Sequence, residues 1–300
     1  MSNLLQRTIT GVIFGVIVIG CILFSKFTFA LLLLVICALG LKEFNKLSLS
    51  KADKRYSNFA LIFGTLSLFL CIFSDLFLDT PLNAIRYYYL FVTLVLSFVG
   101  FSILDIFWNK EPYAGKMLLG LLLIPFSLIA LWQMSYYSMG IGYITGSNCV
   151  DGSSKTIPDY FYEIKIPLSL LVLTWANDVG AYFSGKFLGK RKLFERISPN
   201  KTWAGFYGGT ILTIAVLFVL QNNLNFISYG GGIIATILLG ITISTFATFG
   251  DLYQSYTKRI HKVKDSGNIL PGHGGIWDRF DGFFFVIYGY FLFNLISSLF

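Results

Sequence analysis

Charged residues in this chain are crowded into a few short stretches, and between them run long blocks with almost none. Nine apolar runs can be marked, at 8–25, 27–41, 58–78, 88–107, 117–137, 166–186, 204–222, 229–249 and 282–300. A helix needs about 20 mainly apolar residues to cross a bilayer, and most of these runs reach that length. Lipid offers the backbone no hydrogen-bond partner, so each run must satisfy its own amides as a helix. No ten-residue alternating pattern suggests a barrel. The composition agrees, being 55% hydrophobic and only 13% charged, against roughly 25% charged in soluble domains. A soluble globule is excluded, and with 18% aromatic residues so is a disordered chain. The expected fold is an all-α polytopic membrane protein with about nine transmembrane helices.

The basic residues orient it. With a cytoplasmic N-terminus, 19 of the 23 Lys and Arg fall on the inner side, as the positive-inside rule requires. Three regions follow: N-terminal helices over 1–137, an outer polar loop over 138–165, and a C-terminal membrane region over 166–300. The last contains two long cytoplasmic loops, 186–203 and 250–281. The first apolar run resembles a signal sequence but has no small-x-small cleavage site. Only Ser25-Lys26 separates it from the second, so it reads as a retained helix in a tight hairpin. Cys21, Cys37, Cys71 and Cys149 form no C-x-x-C pair or zinc spacing, and three sit in apolar runs, where they serve as packing residues. The net charge of +8 lies in loops beside the membrane. That placement suits a lipid bilayer and polyphosphates, not nucleic acid.

Three segments carry chemistry. Asp178, inside Trp175-Ala-Asn-Asp-Val-Gly-Ala-Tyr182, lies roughly 12 Å from the basic loop at about 1.5 Å per residue. A carboxylate at that depth is a functional candidate, the alternative being a hydrogen bond to a neighbouring helix. Gly180, Gly185 and Gly189 would let another backbone come close. The second segment, Gly185–Lys192 with Ile197-Ser-Pro-Asn-Lys-Thr-Trp-Ala-Gly205, clusters Lys and Arg beside glycines, which suits a polyphosphate. Ser198 and Thr202 offer hydroxyls, although Ser198 could equally cap a turn, and anionic lipid alone could account for the charge. No Walker A loop is present.

The third segment is the most informative. Gly250-Asp251 is followed by Ser255, Lys258-Arg259, Lys264-Asp265 and Pro271-Gly-His-Gly-Gly-Ile-Trp-Asp-Arg-Phe-Asp-Gly282. Asp278 and Asp281, spaced i,i+3, share a helix face, and Asp251 could add a third carboxylate. Such a set suits a hard divalent ion that keeps open positions for phosphates. The plainer reading has Asp281 capping the last helix and Asp278 paired with Arg279 or a lysine.

The stretch Ser255–Asp281, S-Y-T-K-R-I-H-K-V-K-D-S-G-N-I-L-P-G-H-G-G-I-W-D-R-F-D, resembles the defining motif of the phosphatidate cytidylyltransferase family. Asp178–Phe183, Gly185–Lys192 and Ser198–Gly209 resemble the same pattern, while the first five runs match only in being apolar. Val179, Glu195, Ala204 and Thr257 depart from it. The resemblance implies a multi-helical, magnesium-dependent enzyme, with room for a second cation. It would transfer a cytidylyl group from CTP to phosphatidate, forming CDP-diacylglycerol and pyrophosphate for phospholipid synthesis. Asp251, Asp278 and Asp281 would hold the metal, with Lys264, Asp265 and His273 as further catalytic candidates. Asp178, Ser198, Asn200, Lys201, Thr202, Ser255, Lys258, Arg259 and Arg279 would bind substrate. The implied place is the bacterial inner membrane, with the site facing the cytoplasm and a homodimer compatible with it. The rivals are a CTP-dependent lipid kinase and an ion or solute transporter. Charges gathered in loops, not near the midplane between broken helices, argue against transport.

Overall fold

The computed structural model describes residues 3–49, 54–77, 113–136, 164–224 and 232–297. The expected helix at 88–107, most of the outer loop 138–165, and Cys149 lie outside them. The described residues form eight helical rods and one two-stranded hairpin. In chain order the rods begin with α1 (Asn3–Phe24), α2 (Lys26–Ser48), α3 (Lys54–Phe77) and α4 (Tyr113–Tyr136). Then come α5 (Lys165–Leu188), the strands β1 (Lys192–Phe194) and β2 (Ser198–Thr202), α6 (Trp203–Leu224), α7 (Gly232–Ile260) and α8 (Trp277–Ser297). Six helices among the described residues are long and apolar enough to span a membrane. They turn large apolar side chains outward, Leu31, Ile62, Ile211 and Ile234 among them, as a surface meeting lipid requires. This is an all-α polytopic membrane protein.

Local chemistry sets the helix limits. Ser25 alone joins α1 to α2, and its hydroxyl accepts the Phe27 N–H at 3.0 Å as an N-cap. The tight hairpin is therefore present. In α4, Pro125 sits within a π-helical turn, Leu122–Phe126, where the wider turn accommodates a residue without an N–H.

Two helix ends differ from expectation. The second helix runs to Ser48 instead of stopping at residue 41, because Glu43 and Asn45 are buried and partnered; an apolar-run criterion stops at the first such residue. The eighth expected helix extends from residue 249 to Ile260. At about 1.5 Å per residue, the 29 residues of α7 exceed the roughly 30 Å hydrocarbon core, so the polar segment from Asp251 on projects beyond it. The 186–203 stretch is also not simply a loop: β1 and β2 pair antiparallel, Lys192 with Thr202 and Phe194 with Ser198.

Glycines decide how closely the C-terminal helices cross. A Cβ at Gly180 would lie 2.7 Å from the Gly208 carbonyl oxygen, and one at Gly205 would lie 2.9 Å from that of Ala181, so α5 and α6 meet backbone to backbone. The backbone approach expected at Gly180 and Gly185 is realised, while Gly189 instead faces the Thr202 side chain. A second crossing joins α7 to α8: a Cβ at Gly250 would stand 2.6 Å from Asp281 O and 2.9 Å from Gly282 Cα. Each of these glycines has an aspartate beside it, Asp251 and Asp281. The crossing thereby draws the two carboxylates to one place.

An acidic cavity between three helices

That place is a cavity of about 300 Å³ lined by Asp178, Ala247, Asp251, Gln254, Lys258, Asp265, Asp278, Arg279, Asp281 and Gly282. Helix α5 supplies Asp178, α7 supplies Asp251, Gln254 and Lys258, and the first turns of α8 supply Asp278, Arg279 and Asp281. Asp178 is oriented by its neighbour. The buried Asn177 accepts a hydrogen bond from Ser244 Oγ on α7 at 2.7 Å, and Ser244 pairs with Thr210 on α6 at 2.8 Å. That knot ties three helices together and leaves Asp178 toward the cavity. The inter-helix bond considered for Asp178 is thus made by the residue before it.

Lys201 reaches in from β2, its Nζ 2.5 Å from Asp251 Oδ2, and Ser255 Oγ lies 3.4 Å from Asp251 Oδ1 one turn along α7. Asp278 is engaged on both oxygens. Its Oδ1 accepts from Lys258 Nζ at 2.8 Å and Gln254 Nε2 at 3.0 Å. Its Oδ2 accepts from Ser266 N (2.8 Å), Ser266 Oγ (2.9 Å) and Gly275 N (2.9 Å). Asp278 stands in the polar first turn, ahead of the apolar stretch of α8. Burial alone would raise its carboxyl, but the Lys258 bond and the Gly275 and Ser266 amides outweigh burial and hold it below the usual carboxylate range. The plainer expectation holds in part: Asp278 pairs with Lys258, but Asp281, inside α8, does not cap it. Asp281 accepts the Gly282 N–H at 2.7 Å.

Five aspartates in the lining against Lys258 and Arg279, with Lys201 reaching in to Asp251, leave the cavity with a surplus of carboxylates. Gln254 Oε1 is buried in its wall with no hydrogen-bond partner among the described residues, and buried oxygens are rarely left so. Surplus carboxylates plus an unsatisfied carbonyl oxygen form a donor set that fits a hard divalent cation. Among the described residues no three His, Cys, Asp or Glu side chains already close on one ion.

The profile of the cytidylyltransferase family matches residues 5–297. The chain belongs to that family. Its relatives include the phosphatidate cytidylyltransferase of Bacillus subtilis, 53% identical over 129 residues, 42% of this chain and 46% of that protein. Those of Staphylococcus epidermidis, 46% identical over 133 residues, and Staphylococcus aureus, 45% over 139, each align with 43% of this chain and 50% of their own length. The chain thus spans about half the length of the curated relatives it matches.

Against the pattern of a cytidylyltransferase, seven of the candidate residues meet at the cavity: Asp178, Asp251, Lys258, Asp265, Asp278, Arg279 and Asp281. Lys201 and Ser255 join through Asp251. The others stand outside the lining. Thr202 caps α6, its Oγ1 accepting Gly205 N–H at 3.1 Å. Ser198 and Asn200 lie along β2, Arg259 and Lys264 are exposed, and His273 lies against α1 beside Gly11. Sequence reasoning missed two residues. Gln254 lies between Asp251 and Ser255 and follows from its i,i+4 spacing with Lys258. Glu43, on α2, is buried against the 266–277 segment, and a lone acidic residue at the end of an apolar run was the only signal it gave.

Proposed function

We propose that this protein transfers a cytidylyl group from CTP to phosphatidate, releasing pyrophosphate and forming CDP-diacylglycerol. The reading rests on the acidic cavity between α5, α7 and the start of α8, in a chain of the cytidylyltransferase family. We place it in a bacterial inner membrane with the cavity facing the cytoplasm, supported by the excess of Lys and Arg on that side.

Asp178, Asp251 and Asp281 would hold magnesium, and Asp278 would join them only by giving up its bond to Lys258. When bound, the metal would neutralise phosphate oxygens and leave open positions for them. Lys201, Lys258 and Arg279 stand where ammonium and guanidinium groups can take up the charge of a triphosphate. A phosphate monoester, with a second pKa of about 6, is already largely ionised at neutral pH and attacks the α-phosphorus without a protein base. His273 is not needed to remove a proton, which agrees with its place against α1.

Doubly labelled CTP tests this. Purified protein given phosphatidate should carry α-phosphate label into the lipid and release γ-label as pyrophosphate. Label from the γ-phosphate in the lipid, with CDP released, would make the protein a lipid kinase instead.

A further inference from the structure

Glu43 belongs to α2, in the half of the chain without motifs, yet its carboxylate is buried against the segment that carries the site. Its Oε1 accepts Ile276 N–H at 3.1 Å, and its Oε2 accepts Trp277 N–H at 2.9 Å and the Ser266 hydroxyl at 3.0 Å. The two amides are among the first donors of α8, which have no partner within the helix and favour a negative group. The Ser266 hydroxyl also lies 2.9 Å from Asp278 Oδ2, so a single proton sits between the Glu43 and Asp278 carboxylates. At both Gly267 and Gly275 a Cβ would run into the Glu43 carboxylate, so the segment fits only around this side chain. Next to Glu43, the buried Phe44 meets the Trp277 ring edge-on at 5.1 Å. One carboxylate from each half of the molecule therefore grips the same short segment, Glu43 from α2 and Asp278 from α8.

We infer that Glu43 is a positioning residue for the reaction. Through Ser266 and the amides of Ile276 and Trp277 it seats the start of α8, and so sets where Asp278, Arg279 and Asp281 meet the cavity. The inference rests on the proposed cytidylyl transfer for its kinetic consequence but not for its structural one.

Two variants of the full chain in detergent–phosphatidate micelles test it. Glu43→Gln keeps the volume but turns one acceptor into a donor facing a backbone N–H, leaving a buried group unsatisfied. Its kcat should fall about tenfold, with the lipid KM within about twofold of wild type. Amide exchange over 265–277 should quicken by about tenfold or more, while α5 and α6 exchange as in wild type. Gly275→Ala, intruding on the same carboxylate from the other side, should reproduce both changes. Wild-type kcat with wild-type exchange in the two variants would overturn the inference. So would faster exchange in every helix with kcat per folded molecule unchanged, which is the signature of a scaffold residue alone. The exchange measurement needs no substrate. A wild-type protein that forms no CDP-lipid would count against the proposed function and still leave exchange to decide the role of Glu43.

Discussion

Asp75 and Asp281 are both carboxylates on helices of a membrane protein, and their surroundings differ in kind. Asp75, on α3, is buried and accepts from Trp132 Nε1 at 3.0 Å and Gln133 Nε2 at 2.9 Å on α4. Its partners are protein dipoles, and the pair of helices closes over it. Asp281, on α8, shares a cavity with four other aspartates and two cationic side chains. A carboxylate furnished with donors ties helices together, whereas carboxylates gathered in excess raise the folded state's energy until a cation arrives. Asp75 is spent on joining two helices, whereas Asp178, Asp251 and Asp281 gather around one cavity.

The sharpest way to break this contrast is to neutralise the acidic group. Asp281→Asn and Asp251→Asn should each lower turnover by about a thousandfold or more while the protein still inserts and folds, because each removes a hard anionic donor. Detergent-purified variants assayed at saturating magnesium give the measurement. Lys258→Met comes next, with a loss of about a hundredfold, since it strips the ammonium from Asp278 and from the phosphates together. Gly250→Ala should cost about tenfold in activity and about 1–3 kcal/mol in stability, because its Cβ has only 2.6 Å to the Asp281 carbonyl oxygen. Thermal melts run beside the assay separate the two effects. The smallest effect on catalysis belongs to Asp75→Ala. Removing the carboxylate that accepts from the buried Trp132 and from Gln133 should cost about 1–3 kcal/mol of stability, with the kcat of the folded fraction within about twofold of wild type.

How far the sequence could be read follows the same division. Asp251, Asp278 and Asp281 were legible because carboxylates at i,i+3 beside glycines at a membrane face have few plain uses, and the structure brings all three to one cavity. The role of Gly250 and Gly282 was not, since a glycine shows only that a backbone can come near, not which one will. Helix ends were misjudged wherever polar residues continue a helix, at Glu43 on α2 and beyond Asp251 on α7, because hydropathy measures lipid contact and not backbone geometry. The β1–β2 hairpin was hidden among lysines and arginines, and Lys201 could not be separated from its exposed neighbours until that hairpin aimed it at Asp251. Glu43 lay farthest from reach. Its meaning depends on amides more than 220 residues away along the chain.

The central proposal, that the C-terminal carboxylates and not those of the N-terminal helices would hold the metal, is tested most directly by magnesium titration of turnover. Wild type, Asp281→Asn and Asp75→Asn would be compared at saturating CTP and phosphatidate. The account predicts that half-saturating magnesium rises by about tenfold or more for Asp281→Asn and stays at the wild-type value for Asp75→Asn. The same magnesium dependence in all three proteins would contradict it.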